Sequence, residues 1–261
     1  MSRAAARTLA VAESRRVGAY VLLSVEDPDC DAAAGQFSML AAAHGWGEGE
    51  DGRPYLPRAV SLCARRGTRS LYLLEDVGPG TRLLCELPAG AGVRSLGPLG
   101  RPFRPPADGT RAVIVGGGIG VAPLVMLSET LADATVLLGF RDGARAEAAG
   151  LFARASVATD DGSVGHHGSA ADLLDRELEG APATVYACGP AALLEAVRAR
   201  CESAGLACQL ALEAPMACGF GACFGCVVPR RGGGYLRVCV DGPVFDGDVL
   251  EGVEELAGAA P

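Results

Sequence analysis

The first hundred residues consist of short apolar runs that turn-forming residues separate at close intervals. The runs cover residues 15–26, 35–40, 57–64, 69–77 and 91–100. Such runs, broken by glycine, proline and acidic residues, are typical of strands in an all-β domain. The pattern therefore predicts an N-terminal antiparallel β-barrel or sandwich, with residues 40–56 as a glycine- and acid-rich loop.

A proline-rich stretch at residues 100–109 ends this pattern, because clustered prolines continue neither a sheet nor a helix. Beyond it, strand-like and helix-like runs alternate. Predicted strands lie at 112–117, 135–140, 156–160, 184–189 and 207–213, and predicted helices begin near Val121 and cover 144–153, 169–178 and 191–204. This alternation predicts a doubly wound parallel α/β domain.

From residue 213 onward the chain is rich in cysteine and glycine and too short for a core of its own. We therefore predict an α+β fold with several domains: the β-barrel at 1–104, the α/β domain at 105–212 and a small C-terminal segment at 213–261. The length of 261 residues suits this division.

Charge and composition narrow the function. The net charge is -8 and no cluster of basic residues is present, which argues against nucleic acid or an anionic membrane as a partner. The N-terminal apolar run stops at Ala12, too early for a signal peptide, and no apolar run approaches 18 residues. We expect a cytoplasmic protein, in which the ten cysteines are buried apolar residues, metal ligands or redox groups rather than disulfides.

Four cysteines have the spacing of an iron-sulfur site. Cys218, Cys223 and Cys226 follow the pattern C-x4-C-x2-C, and Cys239 comes after twelve more residues. This resembles the ligand spacing of a plant-type [2Fe-2S] cluster, although the fourth ligand is closer. A zinc ribbon, which normally has two C-x2-C pairs, and four inert thiols are the alternatives.

Glycines between these cysteines suit a loop that wraps around a cluster. Such a loop must adopt positive φ at several positions and turn its amides towards negatively charged sulfurs, which glycine does without a steric penalty. The candidates are Gly219, Gly221 and Gly225.

The stretch VIVGGGIGVAP runs from a buried strand through a glycine turn into a helix, so its amides can hold a pyrophosphate. The glycines concerned are Gly116, Gly117, Gly118 and Gly120. Pro123 stands where the G-x-G-x-x-G fingerprint has its third glycine, and a tight turn without a ligand is the alternative.

The run GGGIGVAPL, followed by YACGP at the end of a later strand, resembles the nicotinamide-binding half of the ferredoxin reductase superfamily, whose members place a flavin barrel first. The resemblance implies FAD on the barrel, with Arg58 on the pyrophosphate, Ser61 near the ring, and Gly80 and Thr81 at the phosphate. It also implies NAD on the α/β domain, with Gly189 near the nicotinamide. The remaining residues of these motifs are Ala59, Val60, Cys188 and Pro190.

Over nearly the whole chain, the order of motifs is similar to that of the electron-transfer subunits of NAD-linked bacterial dihydroorotate dehydrogenases. The most specific part is MACGFGACFGC followed by CVDGPVF. The chain departs from that family at Ala59, where proline is usual, and at Leu74 and Glu75, where Tyr-Arg is frequent. Leu73, Leu74 and Glu75 are still expected at the flavin, but an acid at position 75 cannot donate to a phosphate.

The resemblance implies an electron path in pyrimidine biosynthesis, from the FMN of a catalytic subunit through the [2Fe-2S] cluster and FAD to NAD+. It also implies a heterotetramer of two catalytic and two electron-transfer subunits. Phe220, Phe224 and Met216 are candidate contacts with the partner, or else pack within the segment. Arg141 suits the 2′-phosphate of NADP, whereas Asp142 repels it and favours NAD.

Two other functions share these motifs. One is the related subunit of a sulfide dehydrogenase, transhydrogenase or hydrogenase complex, and the other is a stand-alone NADH reductase for an oxygenase. The second usually carries a full ferredoxin domain of roughly 90 residues, about twice this tail. The sequence has no hydrolytic motif. We also predict no catalytic residue for oxidation of an organic acid, because every region is already assigned to a cofactor.

Overall fold

A computed structural model describes residues 4–48, 54–179 and 181–253. The predicted loop at 40–56 and the predicted segment at 213–261 therefore lie partly outside the described residues.

The N-terminal domain is a closed antiparallel barrel with the strand order β1-β2-β5-β4-β3-β6. Its elements are β1 (Ala5–Val17), β2 (Tyr20–Glu26), β3 (Phe37–Ala42), β4 (Arg58–Arg66), β5 (Arg69–Leu74), helix α1 (Pro79–Cys85) and β6 (Gly92–Leu99). Inward-facing Leu23, Leu40 and Val93 are completely buried, and α1 adds Leu84 to the same core. The structure thus confirms the barrel.

The first predicted strand was wrong in its extent. Residues 15–26 form the end of β1, a tight turn and β2, which pair as a hairpin with Val17 opposite Tyr20. Gly18 makes the turn with a φ of +57°, and a Cβ there would overlap the carbonyl of Ala144. One glycine within a continuous apolar run hid the turn.

The second domain is the predicted parallel sheet. Its elements are β7 (Arg111–Gly117), α2 (Ala122–Thr130), β8 (Thr135–Phe140), α3 (Gly143–Ala146), β9 (Ser156–Thr159), β10 (His166–His167), α4 (Ala170–Leu178), β11 (Ala183–Cys188), α5 (Ala191–Ala204) and β12 (Ala207–Ala211). Helix α2 packs between the sheet and the barrel, whereas α4 and α5 pack on the opposite face. Helices therefore cover both faces, as a doubly wound sheet requires.

The predicted helix at 144–153 is broken. Asp142 caps the short helix α3 by accepting from the amide of Arg145, and a 3₁₀ turn, Glu147–Leu151, follows. Gly150 lies inside this run, and glycine weakens a helix by about 1 kcal/mol relative to alanine.

The C-terminal part contains a short hairpin and one more strand of the large sheet. The elements are β13 (Val227–Pro229), β14 (Tyr235–Arg237) and β15 (Val244–Asp246). Strand β15 pairs antiparallel with β12, so the sheet order is β10-β9-β8-β7-β11-β12-β15. Cys226, Val228 and Cys239 belong to the same core cluster as Val197 of α5. The segment therefore packs on the α/β domain.

Within the described ranges, none of the helices has both the length and the apolar character that crossing a bilayer needs.

Candidate functional site

The parallel sheet reverses its winding direction between β7 and β11. From β7 the chain continues to β8 and β9 on one side, and later crosses to β11 and β12 on the other. A crevice forms outside the carboxyl ends of the strands at such a point, and ligands of open α/β sheets bind there. Gly116 of β7 lies opposite Cys188 of β11 at this edge. The two motifs that predicted a nicotinamide site therefore meet.

The turn after β7 uses its glycines for close packing. A Cβ on Gly120 would lie 2.5 Å from the Cα of Gly189, and one on Gly117 would lie 2.6 Å from a methyl group of Leu193. Gly118 has a φ of +54°, and a Cβ there would meet nothing within 4 Å. The turn thus presses against the end of β11 while the Gly118 backbone faces open space, where its amides can approach a phosphate.

A cavity of about 510 Å³ fills the crevice between the α/β domain and the barrel. The predicted nicotinamide-site residues in its wall are Gly117, Gly118, Gly120, Gly189 and Pro190. Gly116 and Cys188 lie behind this wall in the buried strand ends. Burial raises the pKa of the Cys188 thiol well above its ordinary value, so the thiol stays neutral.

A second cavity, of about 230 Å³, lies against β4 and β5 of the barrel. The predicted flavin-site residues in its wall are Ala59, Val60, Ser61, Leu73, Leu74, Glu75 and Thr81. Phe37, Leu212 and Met216 complete a mostly apolar lining. Such a lining, with a few polar groups, suits a large ring system such as isoalloxazine.

Arg58 lies beside this second cavity rather than in its wall. Its guanidinium packs against Gly80, where a Cβ would lie 2.7 Å from Nε, and over the ring of Trp46 at 5.6 Å from the centroid. Its Nη1 donates to the carbonyl of Leu56 at 2.6 Å. Burial lowers the pKa of Arg58, but arginine keeps its positive charge in proteins. Gly80 therefore makes room for a charged donor at the edge of the cavity, close to Thr81, which caps α1.

An ion pair connects the two domains beside the cavity of about 510 Å³. Arg145 of α3 donates to Glu75 of β5 at 2.9 Å and to Asp142 at 2.7 Å. Glu75, which cannot donate to a phosphate, thus binds an arginine of the other domain. Arg141, the neighbour of Asp142, lines the same cavity.

The two cavities share one wall. Glu75, Val77, Ile119 and Glu213 line both of them. The two cavities therefore adjoin at these four residues, and hydride transfer between a ring in each of them would require the two rings to meet there in direct contact.

Glu213 is a site residue that the sequence analysis missed. It lies two residues beyond the end of β12, and although its side chain is open to the cleft, surrounding protein displaces much of the water around its carboxylate. This loss of water raises the pKa of Glu213 above its ordinary value. The signal in the sequence was an acid at the end of the apolar strand run that precedes the cysteine-rich segment.

The four predicted cluster ligands form two thiol pairs. Cys223 is close enough to Cys218 to help lower its pKa, and Cys226 is close enough to Cys239 to help raise its pKa. Among the described residues, no group of three potential ligands gathers tightly enough to hold one metal ion. Two neighbouring pairs fit a binuclear [2Fe-2S] cluster better than a single zinc ion, because the four thiolates are divided between two irons.

Backbone amides stabilise thiolates in this loop. Burial opposes ionisation of Cys218, but amides of Cys223, Phe220 and Ala222 lower its pKa to about 6. Gly225 donates its amide to Sγ of Cys223 at 3.5 Å. The donor set therefore fits a negatively charged cluster.

Burial and the neighbouring Cys226 raise the pKa of Cys239 to about 12. Two thiolates side by side in a buried place repel each other, and a cation between them removes that repulsion.

The cluster loop uses glycine where the backbone requires it. Gly219 has a φ of +77° and leaves no room for a Cβ, which would lie 2.6 Å from Met39. Gly221 has a φ of +91° and would collide with Val240 in the same way. The expected positive φ at Gly225 is wrong: Phe224 adopts it, at 56°, while Gly225 supplies the amide that reaches Cys223.

Comparison with solved structures defines the class of protein. The NADH-dependent reduced ferredoxin-NADP oxidoreductase matches with a TM-score of 0.81, at 22% identity, over 96% of this chain and 92% of its own chain. The ferredoxin reductase in carbazole 1,9a-dioxygenase matches with a TM-score of 0.63, at 19% identity, over 78% of this chain and 66% of its own. The fold is therefore that of flavin-dependent electron-transfer oxidoreductases.

Comparison with known sequences defines the family. Residues 213–251 match the iron-sulfur cluster binding domain of dihydroorotate dehydrogenase B. The electron transfer subunit of dihydroorotate dehydrogenase B (NAD(+)) from Geobacillus thermodenitrificans is 41% identical over 228 residues, 81% of this chain and 84% of the relative. That from Listeria innocua is 35% identical over 245 residues, 88% of this chain and 91% of the relative. The chain belongs to the family of dihydroorotate dehydrogenase B electron transfer subunits, and its cofactors are FAD, a [2Fe-2S] cluster and NAD.

Proposed function

We propose that this chain carries electrons from the catalytic subunit of a dihydroorotate dehydrogenase to NAD+ in pyrimidine biosynthesis. When bound, nicotinamide supplies hydride exchange, FAD converts between two-electron and one-electron transfer, and the cluster supplies one-electron transfer. The residues of this chain would determine which of these cofactors lie next to each other.

The observation that carries this proposal is the continuous order of the three sites. The nicotinamide and flavin cavities share a wall, and Phe37 of β3 lines the flavin cavity. Two residues further along β3, Met39 packs under Gly219 of the cluster loop. Met216 likewise lines the flavin cavity only two residues before Cys218. The three sites therefore follow one another with single side chains between them.

Different residues would bind each of the two nucleotide cofactors. The turn at Gly118 and the start of α2 would hold the pyrophosphate of NAD, and Arg58 with Thr81 would hold that of FAD. Glu213 lines both cavities at their shared wall and would orient the nicotinamide amide. The Glu75–Arg145 pair would keep the barrel and the α/β domain together around them.

The partner would dock where the cluster loop reaches the surface. Phe220 is 57% exposed and Phe224 is 62% exposed, both beside the ligands. Next to Phe220, a cavity of about 540 Å³ opens between the loop and the barrel, with Trp46 and Met39 in its wall. Exposed aromatic side chains around a cavity are typical of protein interfaces.

We propose that the partner holds FMN and oxidises dihydroorotate, because the cavities described in this chain are taken up by its own cofactors. We also propose that two such chains join two catalytic subunits. Reconstitution tests this. The isolated chain should reduce artificial dyes with NADH and leave dihydroorotate untouched, whereas the mixture should form orotate with reduction of NAD+. Oxidation of dihydroorotate by the chain alone, or copurification with a hydrogenase or sulfide dehydrogenase subunit, would contradict the proposal. Light scattering of the mixture should give the mass of a two-plus-two assembly.

The docking surface has a separate test. Phe220→Asp should weaken binding to the catalytic subunit while NADH-dye activity stays at the wild-type level, because Phe220 lines neither the nicotinamide nor the flavin cavity. Val164→Asp is the matched control, since Val164 is 42% exposed in a loop of the α/β domain. Equal binding by both variants would place the interface elsewhere.

A further inference from the structure

Two cysteines outside the electron path lie against each other. Cys201 belongs to α5 and Cys208 to β12, and the two thiols are close enough to shift each other's pKa, upward for Cys201 and downward for Cys208. Both lie in the core that the sheet shares with α4 and α5. They line none of the cavities described above. The arrangement is a buried dithiol without a role in hydride or cluster chemistry.

The two thiols differ in access. Cys208 borders a separate surface cavity of about 280 Å³ at the start of β12, the end of the strand opposite to the flavin cavity, whereas Cys201 is completely buried. Arg198 and Arg231 also line this cavity, both in ion pairs with Glu202, and Asp246 and Asp248 complete its charged lining. A small solute can therefore reach Cys208 directly, and can reach Cys201 only after Cys208 has moved or reacted.

The surroundings of Cys208 favour its thiolate. A Cβ on Gly247 would overlap Sγ of Cys208, so only glycine lets the amide come this close. The neighbouring thiol of Cys201 lowers the pKa of Cys208, the amide of Gly247 and the charge of Arg198 act in the same direction, and burial and Asp248 oppose them.

We propose that Cys201 and Cys208 form a peroxide-reactive dithiol that closes reversibly into a disulfide, with Cys208 as the attacking thiolate and Cys201 as the resolving thiol. A thiolate next to a cation, with hydrogen-bond donors and access from solvent, is the kind of cysteine that oxidants select.

The chemistry balances with hydrogen peroxide as the oxidant. Sγ of Cys208 attacks one peroxide oxygen, the O–O bond breaks, and hydroxide leaves and takes up a proton to become water. Sγ of Cys201 then attacks the sulfur of the sulfenic acid, the S–O bond breaks, and the hydroxyl leaves as a second water with the thiol proton. The two thiols lose two protons and two electrons, and one peroxide becomes two waters.

The disulfide would connect the end of α5 to β12, the strand that leads to Glu213 and the cluster segment. Oxidation would therefore stiffen the support of the electron path without using any of its ligands.

Peptide mapping of the holoprotein tests the proposal. The protein is treated with rising hydrogen peroxide, free thiols are alkylated, and the chain is cut after glutamate. This cleavage separates the two cysteines into peptides 196–202 and 203–213, and keeps both apart from the cluster ligands. We expect the two peptides to be joined at doses that leave the visible spectrum of the cluster unchanged, and dithiothreitol to separate them. Absence of the joined species at every dose up to cluster bleaching would overturn the proposal.

Three variants assign the roles. In Cys201→Ser, oxidation should stop at a sulfenic acid, and dimedone should label peptide 203–213. In Cys208→Ser, Cys201 should stay a free thiol at the same dose. Cys63→Ser, which alters a buried barrel cysteine, should still form the disulfide. The assignment would be contradicted if peroxide oxidised Cys201 in Cys208→Ser. It would also be contradicted if dimedone labelled Cys63 as fast as Cys208. NADH-dye activity of all three variants checks that each is folded.

Discussion

The barrel and the cluster segment each hold a redox group, but different forces stabilise them. The barrel closes six strands around side chains that are completely buried, such as Leu23 and Leu40. The cluster segment has a hairpin of two three-residue strands and leaves Phe220, Phe224 and Tyr235 exposed. Its buried side chains include two of the predicted ligands, Cys226 and Cys239. The barrel should therefore stay folded without its cofactor, whereas the segment should depend on its metal.

The largest effect should come from removing one ligand. Cys223→Ala should lose the [2Fe-2S] absorption and the EPR signal of the reduced protein completely, and a protease should then cut the segment. Cys223 is exposed, so its removal tests ligation rather than core packing. FAD content and NADH-dye activity should remain.

Cys85→Ala is the control for this experiment, because Cys85 lies in α1 of the barrel. An unchanged EPR signal in Cys223→Ala, or zinc in place of iron in the wild type, would show that the thiols serve another purpose. Extraction of iron with a chelator should likewise expose the segment to protease and spare the barrel.

A smaller effect should follow from Gly120→Ala. The added methyl would lie 2.5 Å from the backbone of Gly189, and overpacking costs about 1–3 kcal/mol, so KM for NADH should rise up to roughly a hundredfold. The EPR signal should not change. Gly150→Ala is the control, because a Cβ at Gly150 meets nothing within 4 Å. Equal KM values for the two variants would remove the glycine turn from the nicotinamide site.

Arg58→Lys should weaken FAD binding about tenfold. Lysine keeps the charge but loses the planar pair of donors that suits a pyrophosphate, and a hydrogen bond to a charged group contributes about 1.5–3 kcal/mol. The flavin content of purified protein gives the result, with Arg69→Lys, in an exposed ion pair of the same barrel, as the control. Full flavin occupancy in Arg58→Lys would place the pyrophosphate elsewhere. The apoprotein should keep the circular dichroism of its barrel.

The smallest effect concerns Glu213. Its pKa is raised in the folded chain, so the protonated form suits the fold, and its contribution to stability is present at low pH and lost as pH rises through the raised value. Glu213→Gln should therefore raise the melting temperature at pH 8, and should hardly change it at pH 4. The increase at pH 8 should be smaller than about 2–4 °C, which is the shift that 1 kcal/mol gives in a chain of this size. A melting temperature that falls at pH 8 would mean that the carboxylate form stabilises the fold.

The sequence predicted the elements whose signals are local. Most of the strands, four of the five α-helices in the described part of the chain and the cysteine spacing lie within runs of a few residues, whereas most of β1, β10 and β15 were not predicted. Helix α1 was hidden, because Pro79 and Gly80 at its start suggest a turn, and the hairpin at Gly18 was hidden inside an apolar run.

Pairings between distant residues could not be predicted in the same way. The Glu75–Arg145 ion pair joins two domains, and the contact of Met39 with Gly219 joins the first and the last segment of the chain. No local pattern records either of them. Both depend on how the barrel docks on the sheet, which one sequence does not reveal.

The pairing of β15 with β12 has a consequence for how such a chain can be altered. Ala211 and Val244 are partners in neighbouring antiparallel strands, and the amide of Leu212 donates to the carbonyl of Pro243 at 2.9 Å. The cluster segment thus occupies the place of a hairpin turn, with its entrance and exit side by side. Sites of this geometry accept inserted segments of different length. An ancestral flavin–nicotinamide reductase could have gained this cluster by a single insertion, and an engineer could exchange it for another electron carrier in the same way.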